Sequence, residues 1–312
     1  MQTRLKLQNK IAENRWLLLW GALWAALVWF LAGLVTHQEM WLPFVCTIIA
    51  TYFMVELNNT NALIRIYSRM VSTAFLLLVT MMVFNFGNLH TFLIILCSAL
   101  FYFEAYQTYQ NRMAQGRLYF AFLAVSVASF FWVQALYFVP VLWYIVTAKL
   151  QSMSFRVFVA SLLALITPYW FYVAYCIYFK DLHTFLNHFT PLEQFGELAD
   201  ISSWTHSQLI TVSYLAVVSF IGIVHYLRNR QTDRIRTQML YESFIIIDLL
   251  SWAFLILQPQ HIHLLMGIII VNTSPLIAHF IALTHTIWTN IVSQLLMLSL
   301  FATTIYNLWM LS

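Results

Sequence analysis

Trp16-Leu-Leu-Leu-Trp-Gly-Ala-Leu-Trp-Ala-Ala-Leu-Val-Trp-Phe-Leu-Ala-Gly-Leu-Val-Thr36 is a run of 21 residues with no Asp, Glu, Lys or Arg. A helix of about 20 apolar residues matches the roughly 30 Å hydrocarbon core of a bilayer. The basic segment before it, with Arg4, Lys6, Lys10 and Arg15, resembles the front of a secretory signal. The run is longer than a signal core and has no small-x-small cleavage site, so it reads as a retained first span.

The rest of the chain has the same character. Hydrophobic residues make up 62% and charged residues 8%, against roughly 25% charged in a soluble domain. A soluble globular protein of 312 residues cannot cover its surface with so few ions. Disorder is excluded by the aromatic content and the long apolar runs. The reading is an all-α, polytopic transmembrane helix bundle, a single transmembrane domain over residues 1–312.

Applying the same length test along the chain gives spans near 16–36, 42–57, 70–86, 91–108, 118–132, 136–149, 157–179, 209–227, 239–258, 264–282 and 288–310. That is eleven, within one either way. The longest connection, 180–208, is too short to fold alone and is expected on the extracytoplasmic side.

Orientation follows from the cations. All but one of the 15 Lys and Arg residues fall in 1–15, 58–69, 109–117, 149–156 and 228–238, which alternate topology places on one side. Lys180 alone falls on the other. This is a positive-inside distribution with a cytoplasmic N-terminus. The segment between Arg117 and Lys149 must cross and return in 31 residues, so each arm is short of the full core at about 1.5 Å per residue. The expectation is a hairpin whose turn, around Gln134, is recessed from the outer surface.

Polar groups inside spans are costly and need partners. Asp248 falls near the middle of its span. The next span carries Asn272 and His279, seven apart and on one helical face, and the last adds Asn290 and Gln294. Asp248, Asn272, His279 and Gln294 are candidates for an intramembrane polar centre, for proton relay or for holding a polar head group. The same groups also read as an interhelical hydrogen-bond clamp.

At the cytoplasmic face, Asn59 or Thr60 is expected to cap a short helix carrying Arg65 and Arg69 at i, i+4. With Arg112, these arginines are candidates for an anion or lipid-phosphate site. Ordinary positive-inside anchoring accounts for the same residues. Cys46, Cys97 and Cys176 lie in apolar runs and read as small buried hydrophobes.

On the outer side, His261-x-His263 and the acids of the long loop (Asp181, Glu193, Glu197, Asp200) match no metal-ligand spacing. No metal, cofactor or nucleic-acid partner is expected; the expected partners are membrane lipids and other membrane proteins. No Walker loop, dinucleotide motif or Gly-x-Ser-x-Gly occurs, and no Gly- or Pro-broken pair of spans repeats as in inverted-repeat transporters.

The run Glu56-Leu-Asn-Asn-Thr-Asn-Ala-Leu-Ile-Arg-Ile-Tyr-Ser-Arg69 resembles the first cytoplasmic loop of a Bacteroidota family of multi-pass inner-membrane proteins of unassigned function. The aromatic hairpin after Arg117 and the stretch from Arg156 to Trp170, with Thr167-Pro168, are similar to that family too. The resemblance implies a bacterial inner membrane and supplies no catalytic residues.

Three functions fit these residues. The first is envelope assembly involving a lipid-linked or acyl substrate. The second is a transporter or channel built around Asp248, and the third is a non-catalytic scaffold subunit of a membrane complex. Multi-helix glycosyltransferases usually place an acid in a large first outer loop. Here that connection, His37 to Trp41, is about five residues long with Glu39 its only acid. Polysaccharide polymerases tend to use outer-side arginines, and the outer connections hold none.

Overall fold

The computed structural model describes residues 7–194, 196, 199–202 and 204–311. Arg4 and Lys6 of the basic segment and Glu197 of the acidic loop lie outside the described residues. Among those described there is no strand, and the helices are α1 Leu7–Ala12, α2 Leu17–Leu31, α3 Trp41–Asn61, α4 Met70–Met81, α5 Leu89–Tyr106, α6 Gln115–Phe131, α7 Val139–Tyr144, α8 Phe155–Tyr178, α9 Leu182–Asn187, α10 His206–Asn229, α11 Ile235–Leu257, α12 Ile262–Leu283 and α13 Ile287–Leu311. Seven of them (α3, α5, α8, α10, α11, α12 and α13) are long and apolar enough to cross a membrane. Four shorter apolar stretches join them: α2, α4, α6 and the helical segment Val133–Lys149.

A helix that is apolar all round belongs in the centre of a bundle. α12 is that helix: 94% of its most apolar window is buried, against 22% for α8 at the periphery. α12 packs on α4, α5, α10 and α11. Two glycines permit the close approaches. A Cβ on Gly222 of α10 would lie 2.9 Å from Leu276 Cβ, and one on Gly267 of α12 would lie 2.7 Å from the Ile95 side chain of α5.

α4 has 12 residues, all buried but Leu77, and gives way after Met81 to a 3-10 turn, Val83–Asn85. Interrupted helix at membrane depth is tolerated only where protein covers it. Here α2, α3, α12 and α13 surround α4. The hairpin of α6 and Val133–Lys149 is likewise short, and its turn is roofed by the long loop. Gln134 Nε2 donates to the Pro191 carbonyl at 3.2 Å and Tyr137 Oη to that of Leu192 at 2.6 Å. Cys46, Cys97 and Cys176 are buried free thiols.

Hydrogen bonds at the helix ends sort the connections into two groups. At one end Ser68 Oγ donates to the Ala12 carbonyl at 2.6 Å, and Ser154 Oγ to that of Arg112 at 3.0 Å. Arg236 reaches Asn61 Oδ1 at 2.7 Å and the Tyr106 carbonyl at 3.3 Å. Glu242 sits between Lys149 at 2.6 Å and Arg230 at 3.2 Å. At the opposite end His263 binds Asn85 and Gln208, and Trp204 binds the Pro259 carbonyl at 3.2 Å. Of the described Lys and Arg residues only Lys180, at the far end of α8, lies away from the first, basic end.

Candidate functional site

Asp248 on α11 is fully buried. Its Oδ1 accepts from Thr273 Oγ1 of α12 at 3.2 Å and its Oδ2 from Ser219 Oγ of α10. Ser219 in turn accepts from Trp252 Nε1 at 3.2 Å. The carboxylate thus ties three helices together, with a hydroxyl on each oxygen. The other nominated groups sit elsewhere. Asn272 turns to α5, where Tyr102 Oη donates to its Oδ1, and its own Nδ2 donates to the Ile268 carbonyl at 2.7 Å. Gln294 is half-buried and meets no hydrogen-bond partner among the described residues. Asn290 accepts from the Gln8 backbone N–H at 3.1 Å.

His279 lies toward the basic end. Its Nε2 donates to Asp233 Oδ2 at 2.9 Å, with both side chains almost wholly enclosed. Tyr226 and Tyr241, stacked on each other at 4.5 Å, meet the ring edge-on at 5.2 and 5.1 Å. The His225 ring lies 5.5 Å away. His225 and His279 line an open cavity of about 830 Å³ between α10, α12 and the start of α13, together with Arg65, Arg228, His285 and Thr289. The chain's other seven histidines lie toward the opposite end, so the three nearest the basic end converge on this one cavity. Phe220 and Val224, two exposed apolar residues of α10, form part of its wall.

Two buried ring nitrogens here have no partner: His279 Nδ1 and His225 Nε2. The Asn229 amide donates to His225 Nδ1 at 3.1 Å, which makes Nδ1 the acceptor and leaves Nε2 carrying the proton. His225 Nε2–H is therefore a buried donor without a partner, on a residue that lines the cavity. In His279 the bond to Asp233 fixes Nε2 and leaves Nδ1 free, as when a carboxylate orients a catalytic imidazole.

The arginines are placed differently from the capped-helix expectation. α3 runs on to Asn61 and ends at Ala62, φ 48°; residues 62–69 form an irregular connection. Asn58 enforces it, donating to the Ser68 carbonyl at 3.0 Å and accepting from the Ile64 N–H at 3.3 Å. Arg65 and Arg69 thus diverge: Arg65 reaches the Thr232 carbonyl at 3.4 Å beside the cavity, and Arg69 binds Asn59 Oδ1 at 3.2 Å. Arg112 belongs to the neighbourhood of Ser154.

On the opposite side the acidic loop uses its carboxylates locally. Asp181 is held below the usual carboxylate range by the Thr184 hydroxyl and backbone N–H, and Asp200 likewise by Ser202. His188 is pushed down by burial. No cluster of three His, Cys, Asp or Glu with metal-holding geometry occurs among the described residues.

No family model, curated protein or solved structure matches the chain. His225, Arg228, Asp233 and His285 escaped the sequence reading. The available signal was positional: His225, Arg228 and Asn229 share one face at the last turn of α10, and His279 and His285 flank the next connection to the same end.

Proposed function

We propose that the chain is a multi-pass protein of a bacterial inner membrane, crossing it about eleven times with the basic end and N-terminus in the cytoplasm, and that it serves envelope assembly by taking a lipid-linked or acyl substrate. The seven long apolar helices and four shorter ones support the span count. The collection of cations at one end supports the orientation. One observation carries the substrate reading: the basic-end cavity joins arginines and histidines to the apolar wall of Phe220 and Val224, which continues along α10 as exposed Val217 and Leu227. A polar recess opening onto a lipid-facing surface fits an amphiphile, with its head in the recess and its chain in the bilayer. Exposed Trp16 and Trp288 mark the depth of the head groups, where indole rings concentrate.

Asp248 supports a clamp rather than a transport pathway. Both its oxygens are engaged by hydroxyls, and it lines neither the basic-end cavity nor the one around Gln134 and Gln260. The test is purification from membranes with lipids retained, followed by mass spectrometry. The wild type should carry one enriched amphiphile that Val224→Trp, which fills the cavity mouth, removes. Absence of any enriched lipid, or enrichment that Val224→Trp leaves unchanged, rejects the reading. A stoichiometric protein partner in its place favours the scaffold subunit.

A further inference from the structure

Building on the amphiphile reading, we propose that the group seated in the basic-end cavity is a phosphate, held electrostatically by Arg65 and Arg228 and directionally by His225 and His279. Charge balance is the first argument. Three carboxylates at this end are already paired: Asp233 with His279, Glu242 with Lys149 and Arg230, and Glu104 with Arg117 at 3.8 Å, while Glu13 and Glu56 are not among the residues lining the cavity. Among the described residues no carboxylate pairs with Arg65 or Arg228. Arg65 and Arg228 thus line the cavity with no carboxylate at ion-pair distance, and an anion there supplies a charge-assisted partner.

The second argument is the pair of unpartnered nitrogens. A buried polar atom without a hydrogen bond is destabilising, and such atoms mark places where a ligand or water can bind. His225 Nε2–H is a donor by its tautomer and asks for an acceptor. His279 Nδ1 accepts from a protonated phosphate oxygen in the neutral ring, and donates to an ionised one in the imidazolium form.

The third argument is geometric. The four groups come from three parts of the fold: His225 and Arg228 from α10, His279 from α12 and Arg65 from the connection before α4. Contacts converging from that many directions suit a tetrahedral group with three or four oxygens better than a planar carboxylate with two. The bound species is either the phosphate of a membrane lipid or a free phosphate ion.

The full chain, purified in maltoside micelles, is titrated with a fluorescent phosphatidic acid. It is then challenged with unlabelled phosphatidic acid, with diacylglycerol of the same chains and with inorganic phosphate. Phosphatidic acid should displace the probe at concentrations at least about tenfold below diacylglycerol, as expected for charge-assisted bonds. Arg228→Gln, at an exposed position, and His225→Leu should each weaken phosphatidic acid about tenfold and leave diacylglycerol unchanged. Displacement by inorganic phosphate at the same concentration as phosphatidic acid supports the phosphate site and identifies the free ion as its ligand. Equal displacement by diacylglycerol overturns the phosphate and leaves the amphiphile reading standing. Absence of saturable binding by either lipid or by phosphate overturns both.

Discussion

Asp248 shows how a single carboxylate is accommodated half-way along an apolar helix. Thr273 and Ser219 each donate a hydroxyl to one of its oxygens, and Trp252 backs Ser219. Asn at this position keeps an acceptor oxygen, and the hydroxyls are free rotors that can adapt to an amide. Asp248→Asn should therefore stay within about 1 kcal/mol of the wild type, while Asp248→Leu, which strips both bonds, should destabilise by roughly 1–2 kcal/mol. Unfolding in mixed micelles measures both; an Asn variant as unstable as the Leu variant would show that the negative charge itself matters. The sequence alone marks Asp248 as a group that must face protein, because a lipid-facing carboxylate opposes insertion. Its partners are harder to read. Asn272 and His279 share a helical face, but seven residues are about 10.5 Å along the axis, so one meets Tyr102 of α5 and the other meets Asp233. Periodicity names the face of a helix, and only packing names its neighbour.

The packing of α10 on α12 brings His225 to His279 and sets Ser219 of α10 and Thr273 of α12 where both meet Asp248 of α11, so its closeness matters at both clusters. Gly222 sits between them on α10, and a Cβ there would stand 2.9 Å from Leu276 Cβ and 3.2 Å from the Leu276 backbone carbon. Neither atom belongs to the flexible end of a side chain. Gly222→Ala should destabilise by about 1–3 kcal/mol, the usual range for overpacking. Gly87→Ala, where nothing lies within 4 Å, is the neutral control. Equal thermal shifts for the two would remove the close-approach argument. Apolar run length makes the long helices legible in the sequence, and the two short arms between Arg117 and Lys149 follow from the same arithmetic. The connection holding Arg65 and Arg69 does not. Its shape depends on Asn58 bonding to Ser68 and Ile64 across the loop, whereas capping rules see only neighbours a turn apart.

Across the whole molecule the largest asymmetry is electrical. The described cations other than Lys180 gather at one end with the histidine-lined cavity, while the acids Asp181, Glu193 and Asp200 lie in the loop at the other. Moving Lys or Arg across the hydrocarbon is costly, so the end that keeps them is expected to stay on the side of synthesis. That would put the cavity at the cytoplasmic leaflet, where a head group delivered from within the cell would reach it. Ser202 and Thr232 are exposed at opposite ends, and single cysteines at these positions report the two sides. The background replaces Cys46, Cys97 and Cys176, all buried, so each variant carries one reactive thiol. In intact cells an impermeant maleimide should label Ser202→Cys and spare Thr232→Cys until the membrane is opened. Labelling of Thr232→Cys in sealed cells would invert the bundle and move the cavity to the outer leaflet. Charge makes the choice between these outcomes: the helix lengths are the same in either orientation, and it is the cations, held at one end, that set the expected side.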